Sequence, residues 1–124
     1  MWFLSGQEQV IDGPKLIAKT AVGQGVSVAF WEFEAMPHTF MWRFFGAPQY
    51  EMCWREWADA CRALVKGKGI ESRGVFVEVE GLREREVKIN ELVPFTVEEA
   101  REIMRKGTKM FITYPRKRGN GSVL

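Results

Sequence analysis

The chain has 124 residues, 46% of them hydrophobic, with 18 Lys/Arg against 16 Asp/Glu for a net charge of +2. That length suits one domain able to bury a core without disulfide or metal staples, and no run of about 18 apolar residues offers a membrane span. The opening Met1-Trp2-Phe3-Leu4 lacks the basic start and long apolar stretch of a secretory signal, so a soluble, cytoplasmic protein is expected.

In chain order, Asp12-Gly13-Pro14 is a turn signal and Lys15–Thr20 reads as a strand. Gly23-Gln24-Gly25 turns into a second strand over 26–35, rich in β-branched and aromatic residues and ended by Pro37. A further strand is expected over 38–45, with His38, Phe40, Trp42 and Phe44 on one face and Thr39, Met41, Arg43 and Phe45 on the other. After Gly46-Ala47-Pro48 two readings stand: Pro48 opens a helix, or Tyr50–Trp54 finishes a strand and the helix starts near Arg55. Within the helix Trp54, Trp57, Ala58, Cys61, Leu64 and Val65 recur at three- and four-residue steps, the pattern of a core-facing stripe. Lys66-Gly67-Lys68-Gly69 closes it. A strand over 74–80 and an antiparallel return over 87–95 follow. Thr96-Val97-Glu98-Glu99 is a capping box for a helix running to Lys106 and stopping at Gly107, and Lys109–Tyr114 is a last strand.

Side chains that carry covalent or metal chemistry are scarce. Cys53 and Cys61, eight residues apart, would lie about 12 Å apart if both stand on one helix, beyond disulfide reach, and are expected to be reduced thiols. His38 is the only imidazole, with no C-x-x-C pair beside it, so neither a zinc site nor an activated nucleophile is indicated. The carboxylate pairs Glu32/Glu34 and Glu78/Glu80 are ordinary in so glutamate-rich a chain, and neither Gly23-Gln24-Gly25 nor Gly67-Lys68-Gly69 has phosphate-loop spacing. A non-enzymatic protein without cofactor is the expectation. Plentiful Glu, Lys and Arg, with asparagine only at Asn90 and Asn120, match the composition of chains from hot environments.

The aromatic residues are the more informative group. Phe30, Trp31, Phe33, Phe40, Trp42, Phe44 and Phe45 crowd the hairpin expected over 26–45, more than one core face requires. On a curved sheet half of them would stand outside and stack on unpaired bases, with Lys15, Lys19 and Arg43 drawing the phosphates. Coverage of both faces by helices or a second subunit is the competing account. The basic Arg116, Lys117 and Arg118 open a tail, 115–124, that would add phosphate contacts.

Trp54, Trp57, Ala58, Asp59, Cys61, Leu64, Val65 and Lys66, followed by Gly67-Lys68-Gly69, resemble a segment of bacterial-type single-stranded DNA-binding proteins. In that family a tryptophan ends the third strand, and a short helix then leads to a lysine-glycine turn. Pro14-Lys15-Leu16 with Gly25–Phe30, and Val77–Arg83, are similar to its first turn, second strand and fourth strand, so the resemblance spans roughly residues 14–95. It implies a five-stranded OB barrel, a role in DNA replication or repair, and aromatic contacts from Trp31, Phe33, Trp42 and Trp54.

The expected fold is therefore β-rich α+β: an OB-like five-stranded barrel or curved antiparallel sheet with one central helix, plus an added C-terminal helix and strand, as one domain over 1–114. The expected function is binding of single-stranded DNA or RNA, by a homodimer. The alternative is a small protein-interaction module, such as a virus-encoded inhibitor of a host protein, since exposed aromatics beside an arginine suit a protein interface equally well.

Overall fold

The computed structural model describes residues 2–6, 11–37 and 39–113, with backbone alone for 2–6 and 108–113. The chain divides into two compact units, Met1–Pro94 and Phe95–Leu124. In chain order the first holds β1 (Trp2–Gly6), α1 (Asp12–Gly23), β2 (Ala29–Phe33), α2 (Phe40–Arg43), α3 (Pro48–Val65), β3 (Arg73–Val77), β4 (Glu84–Val87) and one 3-10 turn at Ile89–Glu91. The second holds α4 (Val97–Thr113).

The sheet is open and mixed, in the order β1-β2-β3-β4. β1, β2 and β3 run parallel, and β4 pairs antiparallel with β3, Gly74 opposite Val87. This overturns the expected OB-like barrel and the curved antiparallel sheet alike. Two segments read as strands are helical, 15–20 within α1 and 40–43 as α2, and parallel neighbours need just such helical crossovers. A third, 109–113, continues α4.

Local chemistry explains each change. Pro14 sits in the first turn of α1, where a backbone N–H has no intrahelical acceptor to lose, so Asp12-Gly13-Pro14 starts a helix. Ala18 and Ala21 then bury one stripe against Val28, Phe30 and Ile89. Thr39, at φ 65°, breaks the extended run after Pro37 and turns the chain into α2. Pro48 occupies the first turn of α3, which settles the helix start in favour of the earlier reading.

α3 closes as the glycines predict. Lys68 N–H donates to the Ala63 carbonyl and Gly67 N–H to that of Leu64, both at 2.9 Å, with Gly67 at φ +71°, which makes a Schellman motif. The return strand expected over 87–95 does not form: the antiparallel partner of β3 is Glu84–Val87, and Ile89–Glu91 is a 3-10 turn. Glu78 N–H bonds the Arg83 carbonyl, so the chain reverses early enough for pairing to begin at Glu84. In the second unit the capping box is present: Thr96 N–H donates to Glu99 Oε2 at 2.7 Å, and Glu99 N–H to Thr96 Oγ1 at 3.2 Å.

Side-chain alternation along β2 divides the core of the first unit in two. Phe30 and Glu32 face α1, while Trp31 and Phe33 face α2 and α3, packing with Phe40, Met52, Cys53, Val75 and Val77. Both crossovers step the same way across the sheet, yet their helices cover opposite faces, so the two have opposite hands, against the usual right-handed rule. Among the described residues no helix is long and apolar enough to cross a membrane.

Candidate interaction surface

α3 carries more apolar surface than the sheet can cover. Its inward residues are Gln49, Met52 and Cys53, all buried. At three- and four-residue steps beside them runs a second stripe, Tyr50, Trp54, Trp57, Cys61 and Leu64, which does not face the sheet. Trp57 and Leu64 are exposed, and Val65 is 88% exposed. The stripe read from sequence as core is therefore the outer one, and the core contacts of α3 come from residues one position away.

The N-terminal half of this stripe is built up by the segment before it. Phe45 meets Tyr50 edge-on at 5.3 Å between ring centroids, Tyr50 meets Trp54 at 6.2 Å, and Trp54 meets both Trp57 at 5.3 Å and Trp42 at 5.8 Å. The interplanar angles run from 63° to 88°, the edge-to-face arrangement that aromatic quadrupoles prefer. Trp42 is 61% and Phe45 73% exposed, so the rings form a self-supporting ridge rather than a core. Trp54 is its half-buried keystone; its indole Nε1–H is buried without a hydrogen-bond partner among the described residues.

Glu51, Arg55, Asp59 and Arg62 form a row of alternating sign on another side of α3, more than about 100° round the helix from Trp57. Arg62 Nη2 lies 2.5 Å from Asp59 Oδ1, and Arg55 Nε 3.8 Å from Glu56. Arg43 stands exposed in the last turn of α2, next to Trp42. Among the described residues the ridge itself is thus apolar.

The structure separates the residues singled out from sequence. Trp31 and Phe33 are 2% and 0% exposed, packed on β2 and withheld from any base, because both sheet faces are covered by helices. The expected aromatic hairpin does not exist, since Phe40–Arg43 is helical. Trp42, Arg43 and Trp54 do come together on the ridge. Lys15 and Lys19 lie across the sheet on α1: Lys15 Nζ pairs with buried Glu32 at 3.0 Å, and Lys19 Nζ donates to the Val93 carbonyl at 2.9 Å. Arg116, Lys117, Arg118 and His38 fall outside the described residues.

Above the Lys15–Glu32 pair opens a polar cleft of about 500 Å³, with Arg85 lying over the Phe76 ring at 4.7 Å on its wall. Cys53 and Cys61 are free thiols. Burial pushes the Cys53 thiol from its ordinary 9.0 up to about 12, so it stays protonated at neutral pH and is no nucleophile. Among the described residues no three His, Cys, Asp or Glu side chains cluster tightly enough to hold a metal ion.

Sequence reasoning missed Tyr50, Phe45 and the outward direction of Trp57. The available signal was the width of the apolar arc on α3: Met52 and Cys53 stand on one side of Trp54 and Trp57, and an arc that wide exceeds what one contact face consumes. No protein-family model, curated protein or solved structure matches the chain.

Proposed function

We propose that the protein is a non-enzymatic protein-interaction module whose binding surface is the α2–α3 ridge. The observation that carries this reading is a chain of mutually bracing aromatic rings, Phe45, Tyr50, Trp54, Trp42 and Trp57, of which Phe45, Trp42 and Trp57 are exposed. Interface centres are enriched in Trp, Tyr and Phe and depleted of net charge, and contiguous apolar patches of this kind mark docking sites. Single-stranded nucleic acid asks for a different surface, in which aromatic platforms and a positive groove share one face. Here Lys15 and Lys19 are engaged on the opposite side of the sheet.

One observation favours the nucleic-acid reading, the exposed pair Trp42 and Arg43. Titrating tryptophan emission with oligo-dT at several salt concentrations separates the two. The protein-docking reading expects no saturable quenching. Saturable quenching that weakens with salt, with a log–log slope of about −0.7 per phosphate contacted, would replace it with single-strand binding.

A further inference from the structure

We infer that the cleft over β3 and β4 binds a small organic carboxylate, its negative group held by Arg85 and Lys15 and its apolar part laid against Phe76 and Leu92. This site is separate from the ridge, on the face of the sheet that α1 covers.

Strand register builds the cleft. Glu32 on β2 stands opposite Phe76 on β3, and Phe76 opposite Arg85 on β4, so the three form one row on one face. α1 covers that face over β2, where Ala18 and Ala21 pack with Phe30, and Lys15 reaches Glu32 from the N-terminal end of the helix. Beyond it Phe76 is only half-buried, and the space above is about 500 Å³, within the range of small-molecule sites. Arg85 does not splay off the edge strand. Its guanidinium carbon lies 4.7 Å from the centre of the Phe76 ring, so the side chain leans inward across β3, towards Glu32 and Lys15.

The charges select the ligand. Among the described residues Arg85 makes no ion pair and no hydrogen bond, and its place over a ring consumes none of its N–H donors. Lys15 Nζ meets the two oxygens of Glu32 and has a third N–H to give. At the rim Lys88 and Glu91 neutralise each other at 2.9 Å, and Glu86 stands opposite Val75, in the row that faces α3. Lys15 and Arg85 against Glu32 leave one positive charge. A carboxylate matches it and fits the guanidinium fork, whereas the second charge of a phosphate monoester would lie uncompensated beside Glu32. The same view accounts for Glu32 itself, the one charge in a fully buried strand. Apolar residues there would hold the fold as well as a buried ion pair does; what Glu32 adds is an ammonium fixed at the floor of the cleft.

Titrating the intact, isotope-labelled chain with sodium benzoate tests the proposal, read from amide shifts in two-dimensional NMR. Saturable shifts are expected at Phe76, Arg85 and Leu92 at millimolar benzoate. Benzamide, neutral and of the same shape, binds at least about tenfold more weakly, and Arg85→Gln weakens benzoate by about the same factor. Arg85 is exposed on an edge strand, so that variant keeps its dispersed spectrum. Glu32→Gln frees Lys15 and tightens benzoate several-fold, a sign that a purely structural ion pair does not give. No saturable shift, equal binding of benzamide, or an Arg85→Gln variant that binds as the parent does overturns the inference. Weaker binding to folded Glu32→Gln, or tighter binding of phenyl phosphate than of benzoate, overturns it too. If Glu32→Gln unfolds, benzamide and Arg85→Gln still decide.

Discussion

Glu32 is the most demanding residue in the fold. It stands in the middle of β2, between two parallel neighbours, with its side chain only 7% exposed. Its two carboxylate oxygens lie 3.0 and 3.1 Å from Lys15 Nζ. Replacing Lys15 by Met keeps the apolar stem against the sheet and removes only the charge, so the cost is that of an uncompensated buried carboxylate. Loss of one partner from such a pair costs about 3–5 kcal/mol. The cleft above it admits water and is also lined by Arg85, which places the expectation at the lower end, about 3 kcal/mol. Glu32→Gln should cost less, about 1–2 kcal/mol, because Lys15 is the more exposed of the two and its ammonium can swing towards solvent. The double change Lys15→Met with Glu32→Leu removes both charges and should recover most of the loss. Urea unfolding of the four proteins measures all three values. A Lys15→Met variant within about 1 kcal/mol of the parent, or no cheaper a loss for Glu32→Gln, would show that the pair is hydrated and that this account of the site is wrong.

Gly74→Ala should destabilise by about 2–3 kcal/mol, because a Cβ there drives into the Val87 carbonyl oxygen and comes within 3.0 Å of Val87 Cγ2. Gly69→Ala, with nothing within 4 Å, is the control, and equal unfolding midpoints would refute the close packing of β4 on β3. The folded Cys53 thiol titrates near 12, above its unfolded value, so its contribution is complete below about pH 8.5 and is lost as pH rises from there towards the folded value. Stability should then fall by up to about 1.4 kcal/mol per pH unit through that window, and the same scan on Cys53→Ala should be flatter; parallel curves would contradict the burial. Thr96→Ala removes one half of the capping box and should cost about 1 kcal/mol of α4 stability, read as lost helicity or faster amide exchange in its first turn.

Where a signal was local, the sequence was legible. The capping box at Thr96, the glycine closure after Val65 and the β-branched run of β3 each depend on a few adjacent residues, and each appears close to the expected place. What failed depended on partners far along the chain. Lys15–Thr20 has no intrinsic strand character beyond Ile17, Thr20 and their neighbours, and became helical because Ala18 and Ala21 are small enough for α1 to lie close on Phe30. The run 38–45 alternates well on paper, but Thr39 turns left-handed and Phe40 drops into the core against Phe33 at 5.2 Å, which alternation cannot foresee. Site reasoning erred for a related reason. Trp31, Phe33, Trp42 and Trp54 are assigned by their positions in the resemblance, and position along the chain does not say which ring the sheet buries.

β4 gives the sheet an unusual border. Glu84, Arg85 and Glu86 are all exposed on this four-residue edge strand, and Arg73 and Glu84 clasp at 3.1 Å beside it. An incoming strand would have to desolvate charges on both faces of β4 to reach its free amides and carbonyls. Polymer growth by strand addition is therefore closed at this border, so a chain whose core strand reads Ala29-Phe30-Trp31-Glu32-Phe33, apolar but for one residue, can survive crowding without templating fibrils through β4.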